Sequence, residues 1–200
     1  MWRGLVLLGL VSALAAPAAA SHAQFVRIQY VIDGDTVVLA NGEHVRLVQI
    51  DTPELRGGEC YGPQARALLR RLIPPGTTVR VEADPRLDRV DRYGRLLRYL
   101  FRGPTNLNLE LVRQGAATVW FYDQDRGRYA AALMAAARGA RAAHRGLWRA
   151  CPRTPFDPYH AADTGSQGPR QGESNTVLQG PEVVRQAVPG ASNTVLQARS

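Results

Sequence analysis

Between residues 25 and 101, apolar and polar positions alternate in short runs with the two-residue period of half-buried strands, interrupted once by a helical pattern. FVRIQYVI (25–32) and DTVVLA (35–40) lead to Asn41-Gly42, a two-residue hairpin signal, and EHVRLVQI (43–50) continues the alternation. Three consecutive strands are therefore expected. Pro63 then opens PQARALLRRLI, in which Ala65, Leu68, Leu69 and Leu72 recur at helical spacing until Pro74-Pro75 stops the helix. TTVRVEAD (77–84) and RLLRYLFR (95–102) predict two more strands, separated by a polar loop over 85–94.

Beyond residue 105 the period becomes helical. NLNLELVRQG (106–115) carries Asn106 as a candidate N-cap, apolar Leu107, Leu111 and Val112, and Gly115 as its stop. RYAAALMAAARGARAAHRG (128–146) is an alanine-rich amphipathic helix with Leu133 and Met134 on its packing face. Five short strands with a helix between the third and fourth, then further helices, follow the order of an OB-fold. The expected class is α+β, mainly β: a five-stranded β-barrel with about three packed helices. OB-folds commonly bind oligonucleotides, but a fold alone assigns no function.

Two segments of different composition flank this domain. Residues 1–23 hold one positive charge at Arg3, an apolar run over 5–16 and then small residues, the pattern of a signal peptide. The apolar run is short for a membrane span of about 20 residues. Small residues at Ala18 and Ala20, or at Ser21 and Ala23, fit cleavage before Ser21 or Gln24. The domain is assigned to 24–151 and expected to be secreted or periplasmic, monomeric and without stable membrane insertion once the signal is removed. Residues 152–200 are rich in Pro, Gly, Ser and Gln, balance their charges and repeat SNTVLQ at Ser174 and Ser192. They are expected to form a disordered tail with an unknown partner.

Charge sharpens the picture. All 25 basic residues are arginine, and the formal net charge is +8. Because signal and tail contribute little of it, the excess belongs to the domain. Guanidinium groups hold phosphate oxygens in pairs, and a basic surface concentrates polyanions. Cys60 and Cys151 are the two cysteines. In an exported chain they suggest one disulfide, with two free thiols as the alternative. A bridge across so long a loop is worth ~4–5 kcal/mol in the chain-entropy account.

Candidate chemistry lies in VIDGDTVVLANGEHVRLVQIDTPE (31–54), where Asp33 and Asp35 end one apolar run and Asp51 and Glu54 end the next. Hard cations such as calcium prefer carboxylate and carbonyl oxygens, so Asp35 and Asp51 are candidate ligands between strand ends. A surface salt-bridge cluster is the alternative. If Asn41-Gly42 is a two-residue turn, Arg46 faces Val37 and lies on the Asp35 side of the sheet; a bulge there changes that parity.

The ordered blocks VIDGDTV, VRLVQIDTPE, YGPQA, DRYGRLLRYLF and LVRQGAA, with GLW after the last helix, resemble the staphylococcal nuclease (thermonuclease) family over roughly 26–148. The resemblance implies a calcium-dependent phosphodiester hydrolase that cuts DNA and RNA with little sequence specificity and leaves 3′-phosphate ends. It implies that Asp35, Asp51 and the Thr52 carbonyl bind Ca2+ and that Glu54 positions or deprotonates water. It further implies that Arg46 and Arg95 hold phosphate oxygens, Arg95 also assisting the departing 5′ oxygen. Asp33 braces the Asp-Gly-Asp bend or is a simple turn aspartate.

Arg92 and Tyr93 match a pair that meets a terminal phosphate in the family. Phe121 stands where the family has a further stacking tyrosine, with Trp120 and Tyr122 beside it; stacking requires no hydroxyl. The segment ELRGGECYG is shorter and less basic than in the founding enzyme, so substrate affinity is expected to differ. Two other readings are a noncatalytic OB-fold nucleic-acid-binding module and an envelope interaction protein that uses its repeated tail.

Overall fold

The computed structural model describes residues 24–162 and residue 164. The expected signal peptide and both SNTVLQ copies lie outside the described residues. The alternating segments form β1 (Gln24–Val31), β2 (Thr36–Leu39), β3 (His44–Leu47), β4 (Ile50–Asp51), β5 (Thr78–Glu82), β6 (Leu96–Arg102), β7 (Thr105–Asn106) and β8 (Thr118–Val119). The helices are α1 (Gly62–Leu72), α2 (Leu107–Arg113), α3 (Ala130–Ala142) and the single turn α4 (Leu147–Ala150).

Strands pair in the order β3-β2-β1-β5-β6, and β6 returns in parallel to β3 through Val45–Leu96, Arg46–Leu97 and Leu47–Arg98. This closes a five-stranded barrel, the expected OB-fold, and leaves its main strands without a free edge. Val37, Val45, Leu47, Val79 and Leu100 fill it, each essentially inaccessible. Leu69 and Ile73 from α1, Leu107 and Leu111 from α2, and Leu133 and Ala137 from α3 extend the same core. Pro63 lies in the first turn of α1, where no intrahelical donor is lost. Asn106 caps α2 as expected, its side chain accepting the Leu109 N–H at 3.1 Å. Fully buried Asn108 ties α2 to the barrel: it accepts the Leu100 N–H and donates to the Val48 and Arg98 carbonyls.

Three local features depart from the sequence expectation. The first hairpin loop contains three residues, Ala40-Asn41-Gly42, because Leu39 donates to the Glu43 carbonyl at 2.9 Å while Gly42 adopts φ 85°. That left-handed glycine absorbs the additional residue. Arg46 consequently pairs with Thr36 rather than Val37. Its approach to Asp35 arises from the bend before β2, not from strand parity.

The expected third strand breaks at Val48-Gln49, with Gln49 at φ 65°, into β3 and β4. β4 leaves the barrel sheet and pairs with β8. The chain also stays on the domain after Cys151: Thr154 is buried, Phe156 packs on Trp148, and Phe121 donates its N–H to the Pro158 carbonyl at 2.7 Å. Residues 152–162, placed in the tail by composition, are therefore packed against the domain.

Cys60 and Cys151 form a disulfide with Cα atoms 6.1 Å apart. It joins the loop before α1 to the end of α4. Among the described residues no helix is long and apolar enough to cross a membrane.

Candidate active site

The Asp-Gly-Asp bend enters β2 by packing against the chain after β4. A Cβ on Gly34 would lie 2.6 Å from the Thr52 hydroxyl and 2.9 Å from the Ala65 side chain, so glycine permits this close approach. The bend is held by the Asp35 N–H donating to Asp33 Oδ1 at 3.1 Å. Asp35 Oδ1 accepts from the Thr36 hydroxyl, and Oδ2 accepts the Thr52 N–H at 3.1 Å. This i to i+2 contact fits both expectations for Asp33, a brace of the bend and a simple turn aspartate. Asp35 is linked directly to the backbone that carries Thr52.

The break after β3 brings the second carboxylate to the first. Buried Arg46 donates from Nη1 to the carbonyls of Leu47 and Ile50, and from Nη2 to Asp51 Oδ1 at 2.6 Å. Its Nη2 also lies 3.4 Å from Asp35 Oδ2. One guanidinium therefore secures the turn that positions Asp51 and bridges the two acids. Asp51 Oδ2 accepts the Ala162 N–H at 2.7 Å, a contact from the segment beyond Cys151.

Carboxylates outnumber the nearby cation. Burial raises the Asp51 pKa to about 7, reinforced by the Asp35 charge and opposed by Arg46 and the Ala162 N–H. Burial likewise raises Asp33, and partial desolvation of a side chain still open to solvent raises Glu54, each with a contribution from Asp35. Arg46 is held more firmly protonated: burial acts against its charge, but Asp35 and Asp51 outweigh it. Among the described residues there is no ready cage of three or more His, Cys, Asp or Glu side chains. The donor chemistry nevertheless fits a hard divalent cation, since buried carboxylates beside a backbone carbonyl have more negative charge than Arg46 neutralises.

Glu54 is exposed beyond Pro53, and its N–H donates to Glu59 Oε2 at 2.9 Å. A Cβ on Gly62 would come within 2.8 Å of the Glu54 carbonyl, so the start of α1 presses directly on this turn. Sequence proximity to Thr52 places Glu54 at the same end of the barrel as the paired aspartates.

Arg46 also lines an open cleft of about 510 Å³, where Arg95 provides a second guanidinium. Arg95 Nε is 2.7 Å from Asp91 Oδ2, while Asp91 Oδ1 accepts the N–H groups of Tyr93 and Arg95. Despite partial burial, these Arg95 and Tyr93 contacts lower the Asp91 pKa. Arg92 and Tyr93 share the cleft wall, with the Arg92 guanidinium 4.8 Å from the Tyr93 ring centroid.

The aromatic expectation divides. Trp120 and Tyr122 line the cleft, their ring centroids 5.7 Å apart, and Arg46 lies 5.1 Å from the Trp120 ring. Phe121 points into the core, is 0% exposed and packs near Tyr159. It is not a cleft contact, because consecutive residues of extended chain face opposite ways.

Gln49, absent from the residues the sequence singles out, also lines the cleft. Its side chain accepts from Tyr99 Oη and the Gly127 N–H, each at 3.0 Å, and donates to the Asp125 carbonyl at 2.8 Å. Gln49 thereby organises the aromatic loop from the site side. No local signal distinguished it from a strand glutamine.

The sequence profile described as "Staphylococcal nuclease homologue" matches residues 44–150. Thermonuclease from Staphylococcus intermedius is 32% identical over 102 residues, covering 48% of this chain and 59% of that protein. Thermonuclease from Staphylococcus hyicus is 31% identical over 109 residues, with coverage of 51% and 63%. Endonuclease YncB from Bacillus subtilis (strain 168) is 33% identical over 111 residues and covers 52% of both chains. The chain spans from about half to under two thirds of these relatives' lengths. The family match, together with the closed barrel, establishes that this chain belongs to the staphylococcal nuclease homologue family.

Proposed function

We propose that this protein is a calcium-dependent nuclease that hydrolyses phosphodiester bonds in DNA and RNA with little sequence specificity and leaves 3′-phosphate ends. The observation carrying this reading is Arg46, which bridges buried Asp35 and Asp51 and also lines a cleft shared with Arg95. Family membership adds support for nuclease chemistry. Export through the N-terminal signal, to the periplasm or exterior, belongs to the same proposal.

Asp35, Asp51 and the Thr52 carbonyl would hold Ca2+. When bound, the cation supplies charge neutralisation at the phosphate. Glu54 positions a water and accepts its proton, a role favoured by its raised pKa and solvent access. Arg46 and Arg95 pair with phosphate oxygens and stabilise their increased negative charge during attack. Arg95 also donates hydrogen bonds to the departing 5′ oxygen while retaining its own charge.

Trp120 and Tyr122 provide faces for a base, and Arg92 with Tyr93 meets a terminal phosphate. This uses recognition that does not depend on one base edge. Purified mature protein should cleave single-stranded DNA, duplex DNA and RNA with calcium and lose activity in chelator. Products should resist polymerase extension until phosphatase removes their 3′-phosphates. Binding without cleavage, with calcium present, would favour the noncatalytic module.

A further inference from the structure

Charge in the catalytic cleft is poorly suited to retain a polyanion by itself. Arg46, Arg92 and Arg95 share its lining with Asp88, Asp91, Asp123 and Asp125. Electrostatic attraction for a polynucleotide needs a more basic surface nearby. The structure contains one across the adjoining wall: Arg86, Arg126, Arg128 and Arg138 line a groove of about 570 Å³, with no carboxylate side chain in that lining.

Arg128 is already neutralised in part by Glu82 at 2.7 Å and Asp84 at 3.8 Å. Arg126 contacts the Tyr159 hydroxyl. Arg86 and Arg138 are exposed and make no ion pair among the described residues. Ala130, Ala131 and Met134 form a shallow wall between these longer side chains. The groove therefore offers separated guanidiniums for phosphate oxygens.

The two depressions meet through consecutive residues. Leu87 borders the cleft and Arg86 the groove; Asp125 borders the cleft and Arg126 the groove. Neighbouring Cα atoms are about 3.8 Å apart, so the boundaries are close along both segments. Gln49 strengthens this wall by binding the Asp125 carbonyl and Gly127 N–H.

We infer that this arginine-lined groove is a second binding site, taking the sugar-phosphate backbone of the same nucleic-acid strand that enters the catalytic cleft. The inference rests on the proposed nuclease reading. Its contribution is to bind flanking phosphates, while Arg46, Glu54 and Arg95 act at the reacting phosphate. It should select longer strands without specifying bases.

The test is the full mature chain with Arg86→Gln and Arg138→Gln together, compared with wild type by fluorescence anisotropy in chelator. One probe is an oligodeoxythymidine long enough to enter both depressions, the other a trinucleotide. Long-probe affinity should fall, and its logarithmic salt dependence should become shallower by about 1.4 for two lost phosphate contacts. Trinucleotide affinity should remain unchanged. Reversing both charges to Glu should strengthen the long-probe effect, with circular dichroism checking the fold.

Unchanged long-probe affinity and salt dependence would overturn the groove assignment, as would equal weakening of both probes. Cleavage of the trinucleotide with calcium is measured in parallel. Binding selectivity without wild-type cleavage would reject the catalytic reading while supporting the groove. No wild-type binding to either probe would reject both.

Discussion

Ala162→Pro isolates the contact between the segment beyond Cys151 and the candidate cation site. In wild type, the Ala162 N–H occupies Asp51 Oδ2 at 2.7 Å, while Arg46 occupies Oδ1 at 2.6 Å. Both carboxylate oxygens therefore have partners before a cation arrives. A hydrogen bond to a charged group contributes about 1.5–3 kcal/mol. If cation binding breaks the Ala162 contact, removing the lower end of that cost should strengthen affinity about tenfold.

Proline removes the donor, whereas Ala162→Gly retains it. Calcium calorimetry should find tighter binding for the proline variant and near-wild-type affinity for glycine. Ending the chain after Phe156 should move affinity in the same direction as proline, because it removes Pro158, Tyr159 and Ala162 while keeping the Phe156–Trp148 contact. Unchanged or weaker calcium binding in folded Ala162→Pro protein would refute this competition. Hydrogen exchange at residue 162 should increase when calcium binds to wild type.

Three further changes probe support around the site. In chelator, the raised Asp51 pKa makes its contribution favourable below the ordinary aspartate pKa and progressively lost as pH rises from about 4 to 7, by roughly 4 kcal/mol at most. Asp51→Asn should flatten that dependence; thermal unfolding with an unchanged pH slope would count against the assignment. Asn108→Ala should lower unfolding free energy by about 2–4 kcal/mol, because it leaves the Leu100 donor and the Val48 and Arg98 carbonyls without this partner. Chemical denaturation gives the direct comparison. Replacing both Cys60 and Cys151 by Ser should cost ~4–5 kcal/mol through the restored freedom of the long unfolded loop, with denaturation under nonreducing conditions as the check.

Residues with strong local preferences are legible in the sequence alone. Asn106 capped its helix, Pro63 entered the first turn of α1, and the strand alternation anticipated the barrel. The acid and arginine blocks also contain Asp35, Arg46 and Asp51, which meet in the fold. Other features depended on distant packing. Asn41-Gly42 correctly marked a hairpin, but the ladder selected a three-residue loop and changed the pairing of Arg46.

Gln49 looked like a continuation of β3 because its periodicity did not disclose the contacts made in the folded chain. Tyr99, Asp125 and Gly127 meet it only after the barrel and aromatic loop assemble. Phe121 illustrates the same limit: aromatic identity marked the segment, but only packing separated its core side chain from cleft-facing Trp120 and Tyr122. The composition after Cys151 similarly concealed the pairing of Ala162 with Asp51 across a long sequence interval.

The most direct measurement of the catalytic account is single-turnover cleavage by wild type, Glu54→Gln and Arg95→Lys across a calcium titration, with circular dichroism and substrate binding measured for each. Glu54→Gln removes the proposed base while retaining size, and Arg95→Lys retains positive charge while removing the planar fork. Both variants should fold and bind nucleic acid, and loss of general-base help alone should lower the Glu54→Gln rate by about 10²–10⁴-fold. Arg95→Lys should also lose most turnover through weaker transition-state stabilisation. Near-wild-type cleavage by both folded variants, or wild-type cleavage unaffected by chelator, would contradict the account.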